Sequence, residues 1–269
     1  MIISTMSFAC MNGIVKHLVN MNAFQIVFFR SFSCLFFTFA FLLKNKIPIL
    51  GKKRGLLVLR GLVGVTSMAL FFMSTKYLPI GTAVSLRYMA PIFAAVFAVL
   101  LLKESIRPIQ WLFFAIAFSG VLVLKGLDTS LSGYGLMLIF ISAIFSGLVY
   151  IVISKIGKDE HPVVIVNYFM VIASIVGGVL SINDWVTPVG KEWVLVFGLG
   201  CFGYFGQVYM TKAFQIVKTN QIAPFKYLEV IFTLLLGVAL FSEVYSFWSL
   251  LGIALIITGL VLNVTYKSK

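Results

Sequence analysis

The chain has 269 residues, of which 61% are hydrophobic and only 11% charged. A water-soluble domain of this length carries roughly a quarter charged residues, which sets a soluble globular fold aside. The formal net charge of +13 would suggest nucleic acid in a soluble protein, but here the basic residues sit in short loops beside apolar runs, and most of the 27 Phe lie inside those runs.

A helix that crosses the hydrocarbon core needs about 20 apolar residues, within roughly 17–25. Apolar runs bounded by loop signals predict spans at 2–18, 23–43, 56–75, 80–102 and 109–125, then at 134–153, 162–181, 193–213, 219–241 and 247–265. The longest polar interruptions, near 44–55, 125–133 and 182–192, are loop-sized and hold no further domain. The amino terminus lacks the basic region and small-residue cleavage site of a signal peptide. Residues 2–18 also have a counterpart at 141–157, so they read as a span of the fold. No counterpart of Gly133-Tyr134-Gly135 precedes them, which leaves open a start upstream of Met1.

The spans fall into two copies offset by 139 residues, without gaps. Ser7 aligns with Ser146, Ile14 with Ile153, Gly61-x-x-Gly64 with Gly200-x-x-Gly203, Tyr88 with Tyr227, Glu104 with Glu243 and Gly120 with Gly259. The expected units are residues 1–130 and 131–269, each with five spans. An odd number of crossings turns the second copy upside down, and inverted repeats are a common frame for alternating-access carriers. The expected fold is therefore an all-α integral membrane protein of ten transmembrane helices in two inverted five-helix repeats.

Lys and Arg orient the spans, because cytoplasmic loops hold the excess. With the amino terminus inside, those loops carry Lys44, Lys46, Lys52, Lys53, Arg54, Lys103, Arg107, Lys155, Lys158, Lys212 and Lys218, with Lys267 and Lys269 at the tail. The outside loops carry only Lys76, Lys125 and Lys191. Both termini are expected in the cytoplasm, with the chain multi-pass in the cell (inner) membrane.

Lys16, Arg30, Arg60, Arg87 and Lys226 are left inside the spans. Lys16 and Arg60 lie near span ends and are expected to snorkel to water. Arg30, Arg87 and Lys226 are deeper, and a charge at the bilayer centre costs at least ~2.5–3.5 kcal/mol, so each needs a partner or a hydrated cavity. Pro91 follows Arg87 and Pro224 precedes Lys226, a matched pair of expected helix kinks, since proline frees a carbonyl that only protein or water can satisfy. Glu229 is the one acid inside a span, and its repeat-mate is Ala90. Two readings stand beside each other: an ion pair with Lys226 or Arg87, and a proton- or ion-coupling site. Asn12, Tyr88, Gln207 and Tyr227 are the uncharged residues expected to meet a solute, ahead of the many Ser and Thr that serve helix packing.

Other signals carry little chemistry. Gly198-x-Gly200-x-x-Gly203 matches the dinucleotide fingerprint in letters only, because it lies within an apolar span. Cys10, Cys34 and Cys201 have no metal-ligand spacing, His17 and His161 are isolated, and no P-loop, HExxH or GxSxG is present. No metal, cofactor, catalytic residue or ATP-driven step is expected.

The acids that follow the fourth and ninth spans, in Leu102-Lys103-Glu104 and Phe241-Ser242-Glu243, recur with Ala115-x-x-x-Ser119-Gly120-Val121 and Ala254-x-x-x-Thr258-Gly259-Leu260. This pattern resembles the paired EamA-type repeats of the drug/metabolite transporter superfamily, over essentially the whole chain. Tyr227-Leu228-Glu229-Val230 is similar to the family's Glu-Pro pattern, with Val230 where proline often stands. The resemblance implies ten helices, cytoplasmic termini, a central cavity, and export of amino acids, other metabolites or toxic compounds. The expectation is a secondary active or facilitative carrier, an exporter, of a small carboxylate-bearing metabolite. Substrate binding is assigned to Asn12, Arg87, Tyr88, Gln207, Lys226 and Tyr227, and coupling to Glu229. Expected partners are that solute and the bilayer, not nucleic acid, with a homodimer allowed. The rival classes are a non-transporting membrane partner or flippase subunit and a membrane-embedded lipid-modifying enzyme.

Overall fold

The computed structural model describes residues 1–15, 17–18, 20–78, 83, 86–125, 132–241 and 247–266, apart from the side chains of 124, 125, 240, 241, 249, 260 and 264. Lys16, Glu243, Lys267 and Lys269, which the sequence reading singled out, lie outside these residues, as does the side chain of Lys125. The helices are α1 (Ile2–Val15), α2 (Ala23–Lys44), α3 (Arg54–Ser74), α4 (Ala90–Leu102), α5 (Pro108–Lys125), α6 (Gly133–Ile156), α7 (Pro162–Ser181), α8 (Glu192–Ile216), α9 (Leu228–Phe241) and α10 (Phe247–Thr265). No strand occurs among the described residues. In lipid every backbone donor and acceptor must be satisfied within the segment, which a helix does and an isolated strand cannot.

Six stretches among the described residues are long and apolar enough to cross a membrane: Ala23–Lys44, Arg54–Ser74, Gly133–Asp159, Pro162–Asp184, Glu192–Ile216 and Thr219–Ala239. Ile2–Val15, Ala90–Leu102, Pro108–Val123 and Leu250–Asn263 are shorter apolar helices. The protein is a multi-pass membrane protein. The predicted ninth span is broken: one helical turn, Thr219–Ile222, leads into a 3-10 stretch, Ala223–Tyr227, before α9 begins. Pro224 sits in that stretch, and Pro91 sits in the first turn of α4. At the start of a helix a missing amide donor costs nothing.

The main helix pairings run between the two copies: α5 with α10, α2 with α7, α3 with α6, α1 with α8, α4 with α6, α1 with α9, α2 with α8 and α3 with α7. Adding five to each number and exchanging copies returns the same set, the signature of a pseudo-twofold arrangement. Helices α5 and α10 approach backbone to backbone. A Cβ on Gly120 would lie 2.6 Å from the Gly252 carbonyl and 2.8 Å from the Ile256 amide, and one on Gly259 would lie 2.7 Å from the Ala117 amide and 2.8 Å from the Phe113 carbonyl. Gly252 and Ile256 are the repeat-mates of Phe113 and Ala117, so the crossing is its own mirror. The register also gives direction, because later residues of α5 meet earlier residues of α10. The two equivalent helices are antiparallel.

Helices α2 and α7 cross in the same sense. Thr38 Oγ1 donates to Asn167 Oδ1 at 2.8 Å, while a Cβ on Gly177 would come within 2.9 Å of the Phe28 amide. The loops add carboxylate caps. Glu160, 4% exposed, accepts from the amides of Lys52 and Lys53 ahead of α3, and Glu104 accepts from the amides of Thr219 (2.9 Å) and Asn220 (3.1 Å). A carboxylate at a helix start satisfies orphan donors and complements the dipole. Gln25, fully buried, pairs both its amide donor and its acceptor with the backbone of Val186.

Gly120→Val and Gly259→Val are each expected to destabilise the protein by roughly 1–3 kcal/mol, because the added methyls meet backbone that cannot rotate away. Gly55→Ala, with nothing within 4 Å of the new Cβ, is the neutral control. Thermal melting in detergent checks this, and equal melting of all three variants would contradict the crossing.

Candidate functional site

Two of the intramembrane charges, Lys226 and Glu229, meet where the broken segment reaches α1. Lys226 lies in the 3-10 stretch and Glu229 in the first turn of α9, three residues on. That spacing puts them on one face, and Lys226 Nζ contacts Glu229 Oε2 at 2.5 Å with each side chain 12% exposed. Asn12 Nδ2 of α1 donates to the other carboxylate oxygen, Oε1, at 3.2 Å. Lys226 Nζ also lies 4.4 Å from the centroid of the Phe8 ring, a cation–π contact from the same helix. Both ions are thus compensated. Of the two sequence readings for Glu229, the ion pair with Lys226 is present in the geometry.

Tyr88 and Tyr227, repeat-mates, face each other with ring centroids 6.2 Å apart. Tyr227 is completely buried, and its hydroxyl has no hydrogen-bond partner. The Arg87 guanidinium lies over the Phe71 ring at 4.6 Å instead of on Glu229. Tyr150 of α6 stacks on Phe214 at 4.4 Å and sits within electrostatic reach of Lys226, Arg87, Glu229 and Arg60.

A second polar group is where the sequence reading needs correction. Arg60, expected to snorkel to water, is 1% exposed. Its guanidinium lies 4.1 Å over the ring of Phe169 on α7, and Nη2 donates to Gln207 Oε1 on α8 at 3.0 Å. Gln207 therefore meets Arg60 and does not join Asn12 at Glu229. The missed signal was Gly64, one turn after Arg60, where a Cβ would fall 2.6 Å from Arg60 Nη1. A glycine beside a buried arginine makes room for the side chain to stay inside. Arg30, on α2, runs along Gly203 and lies within electrostatic reach of Arg87 and Glu229.

No three His, Cys, Asp or Glu among the described residues come together as metal ligands. The glycine fingerprint of α8 packs against α2, with a Cβ on Gly200 falling 2.3 Å from the Ser33 Cβ. What the site offers is cationic and aromatic surface with one carboxylate, chemistry suited to holding an anion and exchanging it.

Removing one member of a buried pair strands the other, at a cost of about 3–5 kcal/mol for a fully buried ion. Glu229→Ala is therefore expected to lower stability by roughly 3 kcal/mol, and the pair Lys226→Met with Glu229→Gln by much less. Melting of the two single variants and the double variant reads out the cycle. Strict additivity would show that the two charges do not interact.

The profile of the EamA-like transporter family matches residues 1–125 and again 133–265. The chain is 27% identical to the pseudopaline exporter CntI of Pseudomonas aeruginosa strain PAO1, over 97% of this chain and 93% of that one. It is 25% identical to human solute carrier family 35 member G1, over 100% of this chain and 79% of that protein. It is 26% identical to the S-adenosylmethionine uptake transporter of Rickettsia prowazekii, over 93% and 85%. A solved crystal structure superposes with a TM-score of 0.84 at 18% identity, covering 98% of this chain and 94% of its own, which shows the shared fold. With both copies matched by the profile, the chain belongs to the EamA-like transporter family of the drug/metabolite transporter superfamily.

Proposed function

We propose that this transporter of small metabolites works by alternating access between two inverted units, residues 1–130 and 131–269, in ten spans with both termini in the cytoplasm of the inner membrane. The antiparallel crossings of α5 with α10 and of α2 with α7 support the inversion. The lysine and arginine asymmetry of the loops supports the orientation. The solute bears a carboxylate and is exported. The observation that carries the substrate class is the charge imbalance deep in the predicted spans, where Arg30, Arg60, Arg87 and Lys226 stand against Glu229. Unpaired cations are costly in low dielectric, and a substrate anion supplies the missing charge.

Asn12, Arg87, Tyr88, Gln207, Lys226 and Tyr227 form the proposed binding surface, with the two tyrosines flanking the apolar part of the solute. Glu229 is the proposed coupling group. A proton on Glu229 cancels the charge that holds Lys226, and the freed ammonium turns to the solute carboxylate. When the solute leaves, Lys226 is stranded until Glu229 gives up its proton and the pair at 2.5 Å re-forms. Binding and protonation are coupled because neither state leaves a buried ion uncompensated. Export matches the named activity of the pseudopaline exporter, while the uptake transporters among the relatives make direction a matter for vesicles of defined sidedness.

Purified protein in proteoliposomes, preloaded with a panel of amino acids and organic acids, is expected to show counterflow of carboxylate-bearing solutes. Glu229→Gln is expected to flatten the pH dependence of flux. Exchange confined to cationic or neutral solutes would reject the substrate class, and a wild-type pH profile in Glu229→Gln would reject the coupling role. Flux through the protein alone also separates a carrier from a non-transporting partner.

A further inference from the structure

The charge at Lys226 and the charge at Arg60 are two separate centres, and among the described residues only the first has a counterion. Arg60 uses one nitrogen, Nη2, on Gln207 and presents its plane to Phe169. Its Nε and Nη1 are buried with no hydrogen-bond partner, and so is Nε of Arg30. The two guanidiniums lie within electrostatic reach of one another. Glu229 is already bound on both oxygens, by Lys226 and Asn12. Adjacent like charges in a dry interior repel, and each unpaired buried donor costs about 1–3 kcal/mol, more when charged.

The backbone is shaped around this pair. Gly64 and Gly203 are repeat-mates, and each lies against an arginine: Arg60 Nη1 would be 2.6 Å from a Cβ at Gly64, and Arg30 Cγ 3.5 Å from one at Gly203. The arginines themselves are not repeat-mates; Arg30 corresponds to Phe169 and Arg60 to Leu199. The glycine positions are thus kept in both copies while the groups they accommodate differ. An arginine fork with parallel N–H donors fits a planar carboxylate bidentately, whereas an ammonium gives only a point charge.

We propose that Arg60 and Arg30 form a second oxyanion site, so that the transported solute belongs to the dicarboxylate class: one carboxylate at Lys226 and the other at the arginine pair. Tyr150, within electrostatic reach of both Lys226 and Arg60, lies between the two ends of the solute. The inference rests on the carboxylate-carrier reading above and adds the second anionic group.

The test is counterflow in proteoliposomes with dicarboxylates from malonate to pimelate against monocarboxylates of matched chain length, with inorganic phosphate as the non-carboxylate arm. Wild type is expected to prefer one dicarboxylate length over its monocarboxylate by on the order of ten- to hundredfold, the value of one charge-assisted bidentate contact. Arg60→Gln is expected to collapse that ratio. Arg60→Lys, which keeps a cation over Phe169 but loses the fork, is expected to lower it as well and serves if the glutamine variant does not fold. An unchanged ratio in both variants, or no dicarboxylate preference in wild type, overturns the second site while leaving carboxylate transport standing. Preference for phosphate over every dicarboxylate also overturns it. Absence of any carboxylate exchange would instead bring down the reading beneath it.

Discussion

The structure depends on the approach of backbone to backbone where equivalent helices of the two copies cross. At α5 and α10 the Gly120 and Gly259 positions leave no room for a methyl group, and at α2 and α7 Gly177 does the same beside Phe28. In a membrane, helices gain little from burying apolar surface against each other, because lipid tails are equally apolar, and close packing of small residues takes over. The principal contacts then run between copies and not within them. Among the described residues the two copies therefore interlock along most of their helices.

That interlock explains why the polar residues lie where they do. The seam between copies is the one region where side chains from both meet: Asn12 with Glu229, Arg60 with Gln207, Tyr88 with Tyr227. The broken segment before α9 brings Lys226 and Glu229 into this seam, next to α1. Asn12, Gln207 and Phe169 each find their partner in the other copy, so a relative rotation of the copies would change these pairings.

Much of the architecture was legible in the letters. The offset from Ser7 to Ser146 and from Gly120 to Gly259 announces a duplication, and apolar runs of helical length follow from the demands of lipid. The Lys226–Glu229 pair was readable because three residues on a helical face are neighbours. Asn12 could be marked as an intramembrane polar group but not matched to Glu229, since 217 residues separate them and only the tertiary fold closes that distance. Arg60 was misplaced because nearness to a span end was taken for access to water. What decides burial is the packing around it, and Phe169, Gln207 and Gly64 reach it from α7, α8 and its own helix. Glu104, a repeat motif with no evident chemistry in the sequence, is a cap on the amides of Thr219 and Asn220. Its mate Glu243 lies outside the described residues.

The two copies share a scaffold but divide the chemistry. Arg30, Arg60 and Arg87 come from the first copy; Gln207, Lys226 and Glu229 come from the second. A perfectly symmetric pair of copies would place the same side chains on both sides of the seam. Replacing the mate of Ala90 by Glu229 and the mate of Phe169 by Arg30 breaks that equivalence at the seam while leaving the glycine crossings intact. The scaffold therefore keeps its pseudo-twofold packing while the charges within it differ from one copy to the other.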